Sequence, residues 1–140
     1  FCLVTNQFVN SYKRLVCGGE APTYLSWASR NRSTLVRIPG YRPDREDACR
    51  IELRSPDPAA NPYLAFAAML AAGLAGIEEG LELQPPTEDQ DLFALSRQDL
   101  RRQGIQTLPE SLGEAAERAE WNEYQGNVSA WERDRYLAVL

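Results

Sequence analysis

Histidine is absent from the 140 residues, methionine occurs once and cysteine three times. The lack of histidine excludes Ser-His-Asp and Cys-His nucleophile systems and any imidazole-held metal within this stretch. Cys2, Cys17 and Cys49 are odd in number and widely spaced. They fit neither a disulfide framework nor a thiolate cluster, so reduced thiols are expected. No run approaches the roughly 18 apolar residues of a membrane span. Glycine-rich phosphate loops of the Walker or dinucleotide type are missing, as are internal repeats and low-complexity tracts.

What the chain does have is an uneven distribution of charge. Residues 1–60 carry nine Lys and Arg against six Asp and Glu, whereas residues 61–140 carry six against fourteen. A basic half within an acidic chain of net charge −5 points to a local anion site rather than a nucleic-acid surface. With 44% hydrophobic residues, the length suits one domain with ample core material.

The basic residues converge on Arg30 to Asn61. Arg50, Glu52 and Arg54 alternate with Ile51 and Leu53, so a β-strand there puts the three charges on one face and the aliphatic groups on the other. A carboxylate between two guanidiniums stays ionised. Arg30, Arg32 and Arg37 lie just upstream, and arginine's planar fork grips phosphate or carboxylate through paired hydrogen bonds. A solvent-facing strand of alternating charges would read the same way from pattern alone.

Around this stretch, Phe1–Val9 reads as a strand or buried extended entry. Cys17-Gly18-Gly19-Glu20-Ala21-Pro22 reads as a turn-forming loop carrying an acid. Short strands are expected at 23–28, 34–38 and 48–55, with a turn-rich excursion at 39–47. Asn61-Pro62 is a helix start. The apolar run from Tyr63 to Ile77 predicts a helix buried on most sides behind the Arg50–Arg54 strand, stopping at Gly80. After a Pro- and acid-rich surface linker, helices are expected at 96–103, with Ser96 and Asp99 as a capping pair, and at 109–124. Trp121, Tyr124, Val128 and Trp131 fall on one helical face and are expected to be core or subunit contact.

The wording of several runs resembles glutamine synthetase. Asn10-Ser-Tyr-Lys-Arg-Leu-Val, Glu20-Ala-Pro, Asn31-Arg-Ser-Thr-Leu-Val-Arg-Ile-Pro39, Arg50-Ile-Glu-Leu-Arg-Ser-Pro-Asp-Pro58 and Asn61-Pro-Tyr-Leu-Ala-Phe-Ala-Ala-Met-Leu-Ala-Ala-Gly-Leu74 follow the family's order and spacing across most of residues 8–80. The tail from about Glu114 is similar with less specificity. The resemblance implies an α+β fold, the C-terminal portion of a half-barrel catalytic domain with antiparallel strands (1–60) followed by helices (61–140). It also implies ATP-dependent ligation of ammonia to glutamate through a γ-glutamyl phosphate. Because the chain opens on Phe1 without a targeting segment, it is expected to be part of a longer protein and inactive alone.

By matching position, Arg14 and Arg54 would hold glutamate. Glu20 would be the flap acid that takes a proton from the incoming ammonium. Arg32 would touch both substrate and ATP, Arg37 and Arg50 the nucleotide, and Glu52 would be one ligand of Mg2+ or Mn2+. A cytoplasmic homo-oligomeric ring, a dodecamer, is implied, with no nucleic-acid or membrane partner. Three departures stand out. Gly19 occupies the place of a flap tyrosine, which suggests another amine as acceptor, and Asp47 replaces a basic nucleotide contact, with Arg45 nearby as a substitute. Phe93 in Asp91-Leu-Phe-Ala-Leu95 stands where regulated bacterial members carry an adenylylated tyrosine, so that control is not expected. A relative that kept the fold without catalysis is the alternative from another class.

Overall fold

Two apolar strand segments and one charged one assemble into a small mixed sheet in the computed structural model, which describes residues 1–16, 19 and 21–124, with side chains as far as Ala119. Strands β1 (Tyr24–Ala28), β2 (Thr34–Arg37) and β3 (Glu52–Leu53) lie in that order. β2 and β3 are antiparallel, pairing Val36 with Leu53 and Arg37 with Glu52. β1 and β2 run parallel, with an irregularity between Tyr24 and Trp27, so the expected antiparallel arrangement holds for only one of the two pairs. Parallel neighbours usually need a crossover of a dozen or more residues. Here residues 29–33 alone return the chain along β1. The outer edge of β1 is met by a later segment: Tyr24 bridges Thr107, and the Leu25 N–H donates to the Gln106 carbonyl at 2.8 Å.

β3 is far shorter than the expected strand at 48–55. Continuing its pairing with β2 would bring Pro39 opposite Arg50, and proline has no N–H to offer the ladder. Residues Glu46–Ala48 form a 3-10 turn instead.

The entry segment is helical rather than extended: α1 spans Cys2–Thr5 and α2 spans Ser11–Arg14. Cys2, Tyr12, Leu15, Ala21, Leu35, Leu108 and Ala115 form one buried cluster. Tyr24, Leu92, Leu100 and Ile105 form a second, where the rings of Tyr24 and Phe93 meet edge to face at 5.7 Å.

Helix α3 (Pro62–Glu78) starts as the sequence indicates. Asn61 Oδ1 accepts from the N–H groups of Tyr63 and Leu64 at 3.0 and 3.3 Å, and Pro62 fills the first turn. The helix ends before Gly80, whose φ of +62° is the left-handed region glycine tolerates best. Its burial differs from expectation. Only Ala65 and Ala68 are buried, while Tyr63, Phe66, Leu70 and Ile77 are mostly exposed. Its chief neighbour is the four-residue α1, not the β3 strand, and one helical turn covers only a small-residue face.

Helix α4 (Arg97–Arg102) is capped by Ser96, whose hydroxyl accepts from the Asp99 N–H at 3.2 Å and meets Asp99 Oδ2 at 2.5 Å. α5 spans Leu112–Tyr124. At its start Ser111 Oγ accepts from the Glu114 N–H at 3.1 Å, and Glu114 accepts from the Glu110 N–H at 2.8 Å. The side chains of Trp121 and Tyr124, and all of Val128 and Trp131, lie outside the described residues, as does Glu20.

Candidate functional site

The pairing of Arg37 with Glu52 across β2 and β3 sets the centre of the site. Arg37 Nη2 lies 2.6 Å and its Nε 2.9 Å from Glu52 Oε2. Arg50, two residues before Glu52 and outside β3, reaches Oε1 at 3.1 Å. Both carboxylate oxygens therefore face guanidiniums, and the carboxyl is held below its ordinary range, first by the hydrogen bond from Arg37 and then by the two positive charges and the bond from Arg50. The alternation of charges was legible in sequence. The partner was not: Glu52 is gripped by cross-strand Arg37 and by Arg50, while Arg54 points elsewhere.

Arg54 donates through Nη1 to the carbonyls of Arg32 and Thr34, the latter at 3.3 Å. Burial, then the nearby charge of Arg37, weakens its hold on its proton, with Arg32 and Arg14 adding to the effect and Glu52 opposing it. Five of the expected site residues thus share one electrostatic neighbourhood. Arg14 reaches it from α2, donating to the carbonyls of Ser55 and Arg54 at 2.9 and 3.1 Å. Arg32 is exposed on the 29–33 return and lines an open cleft of about 300 Å³ with Asn31, Ser33, Asp91 and Phe93. At the expected nucleotide-contact position, Asp47 is bound by Arg45 through two hydrogen bonds of 3.0 and 3.2 Å, so that guanidinium is already engaged.

Two contributors escaped the sequence reading. Asp57, between two prolines, accepts from the Ala59 N–H at 2.8 Å and, more strongly for its charge, from the Ser11 hydroxyl, while its own N–H donates to Thr5. It ties the exit of β3 to the helices that carry Arg14. The signal was the Ser55-Pro-Asp-Pro58 run, where an Asp side chain folds back on the backbone two residues on. The second contributor is the 84–92 segment, which the sequence presented as a surface linker and which is fastened along residues 27–33.

A hard carboxylate such as Glu52 suits Mg2+ or Mn2+. Among the described residues no group of three or more Cys, Asp or Glu is placed to hold a metal ion. Among the described residues, too, no helix is long and apolar enough to cross a membrane.

The profile of a protein family described as "Glutamine synthetase, catalytic domain" matches residues 1–125. The chain is 45% identical over 160 residues to the glutamine synthetase of Mycolicibacterium smegmatis, covering 97% of this chain and 36% of that protein. It is 45% identical over 164 residues to that of Methanosarcina mazei, covering 100% and 36%. A cryo-EM structure of Plasmodium falciparum glutamine synthetase superposes with a TM-score of 0.60 at 35% identity, over 65% of this chain and 18% of that one. The chain thus spans little more than a third of the length of these curated relatives.

Proposed function

The chain belongs to the glutamine synthetase family, and on that premise we propose that it supplies substrate, nucleotide and metal side chains to an ATP-dependent ligase joining ammonia to glutamate. The observation that carries this reading is the Glu52 carboxylate set between Arg37 and Arg50, with Arg54 and Arg32 beside it. A site that must hold a polyphosphate and a dicarboxylate needs several fixed cations and a metal-binding acid in one place.

In the proposed reaction the glutamate side-chain carboxylate attacks the terminal phosphorus of ATP, and the bond to ADP breaks. Ammonia then attacks the acyl carbon and phosphate leaves. Arg14 and Arg54 would hold glutamate, already oriented by their bonds to backbone carbonyls. Arg32, Arg37 and Arg50 would neutralise charge building on phosphoryl oxygens, a role worth several kcal/mol per well-aimed group, roughly 3. Glu20 would take the proton released from ammonium. Glu52 would be one ligand of the Mg2+ or Mn2+, which when bound screens phosphate charge. We place the sheet in a half-barrel catalytic domain, with residues 1–60 the active-site part and 61–140 mainly helical, in a cytoplasmic dodecameric ring. The remaining metal carboxylates would come from other parts of the catalytic domain, and the 140 residues alone would be inactive.

A second reading, a γ-glutamyl ligase for an organic amine, draws on Gly19. A Cβ there would lie 3.0 Å from both Val16 Cγ2 and the Val16 carbonyl, so the flap is built without a side chain beside its acid. The test is phosphate release by the polypeptide carrying these residues together with the rest of the catalytic domain, given Mg-ATP, glutamate and a panel of ammonia and small amines. Release with ammonia supports glutamine synthesis, and release only with an organic amine selects the second reading. Silence throughout removes both and leaves a non-catalytic relative.

A further inference from the structure

The return between β1 and β2 carries Arg30 and Arg32 on only five residues, 29–33, and four of its polar groups are engaged by one other segment. Glu88 accepts from two successive backbone N–H groups, Ser29 to Oε1 at 2.6 Å and Arg30 to Oε2 at 3.1 Å. Two adjacent amides turned toward one point form a small anion-binding concavity, and here the chain fills it with its own carboxylate. One residue on, the Asn31 amide donates to the carbonyls of Thr87 and Gln90 at 2.5 and 2.6 Å, while its Oδ1 accepts from the Ser33 N–H and hydroxyl at 2.9 and 2.7 Å. The Leu92 N–H donates to Ser33 Oγ at 3.3 Å. Farther back the Trp27 indole N–H donates to the Gln84 carbonyl at 2.7 Å, and the Thr87 N–H to the Trp27 carbonyl at 3.0 Å.

We propose that Glu88 and Asn31 are positioning residues: the 84–92 segment is a strap that fixes the 29–33 return, so that Arg32 meets the nucleotide from a pre-set backbone. The inference rests on the functional reading above, in which Arg32 is a nucleotide and substrate contact. Neither residue needs to touch a substrate. Glu88 acts on the two amides three and two positions before Arg32, and Asn31 locks the residue between. The Glu88 carboxyl is held below its ordinary range, first by the Ser29 N–H, in keeping with a charged group engaged by the backbone rather than left in water. Arg32 itself is exposed, so the backbone beneath it is what orders it.

The experiment takes the polypeptide carrying these residues together with the rest of the catalytic domain and compares it with its Glu88→Ala and Glu88→Gln variants by amide exchange at Ser29 and Arg30 and by titration with Mg-ATP. Loss of the carboxylate is expected to speed exchange at these two amides about tenfold or more, as for a charge-assisted hydrogen bond. Exchange at Val36 and Arg37 should stay unchanged. Affinity for Mg-ATP should fall about tenfold in Glu88→Ala and recover in part in Glu88→Gln, which keeps one acceptor oxygen. Unchanged exchange at Ser29 and Arg30 overturns the strap while leaving the functional reading intact. Faster exchange with unaltered Mg-ATP affinity overturns the positioning role, again leaving that reading intact. A wild-type polypeptide with the whole catalytic domain that binds no Mg-ATP removes the reading and the positioning role together.

Discussion

Tyr12 is one of two residues, with Asn6, that bury a side-chain polar atom without a hydrogen-bond partner among the described residues. Its ring is 4% exposed, and its hydroxyl has no hydrogen-bond partner among the described residues. Burial, with a smaller push from Cys2, raises its pKa to about 12. The neutral phenol is therefore favoured in the fold, and stability that is complete below the ordinary value of 10 falls as pH rises toward the folded one. Tyr12→Phe should be neutral or stabilising by up to about 1 kcal/mol and should flatten the drop in melting temperature between about pH 10 and 12, the ordinary and folded values. A steep alkaline drop in the variant would count against this. Glu52 runs the other way. Its folded pKa lies below the unfolded one, so its contribution is present above the usual carboxylate range and is lost as pH falls through the folded value. Carboxyl carbon NMR should find Glu52 titrating below the exposed glutamates, and Arg37→Ala should return it toward them.

At the scale of elements, local chemistry was legible wherever a side chain speaks to its own backbone. Asn61 before Pro62, Ser96 with Asp99, and Gly80 past the end of α3 all act as their residue types suggest. Asn61→Ala should cost about 1 kcal/mol and Gly80→Ala a similar amount, about 1 kcal/mol, for placing a Cβ at φ +62°, each read as a shift in denaturant midpoint at constant slope. What depended on distant partners was not legible. β1 and β2 run parallel across a return of only five residues, and nothing in Tyr24–Ala28 reports it. Pro39 cuts β3 short from thirteen residues away. The arginine cluster could be named from Arg14, Arg32, Arg37, Arg50 and Arg54, but the orientation of each guanidinium follows from tertiary contacts such as Arg14 with Ser55 and Arg54 with Thr34. Glu88 sat in a stretch whose composition says only "surface".

Across this chain as a whole, the outward face of α3 presents large apolar side chains to its surface. Phe66 and Leu70 are 68% and 65% exposed, so replacing both by lysine removes little packing. Stability should change by less than about 0.5 kcal/mol for each, while light scattering at high concentration should fall. A cooperative loss of structure instead would mean that these side chains are packed in solution.

The sheet also carries a timetable. β2 follows β1 after only five residues, so their pairing closes a short loop, while the far edge of β1 waits for Gln106 and Thr107. Short loops close first because their entropy cost is least, and a chain emerging from its amino end meets its partners in the same order. The arginines of β2 and the return would thus be gathered while one strand edge still lies open, and an open edge is where chains find one another wrongly. Residues 105–108 seal that edge, so the last part of this sheet to arrive is also its safeguard during synthesis.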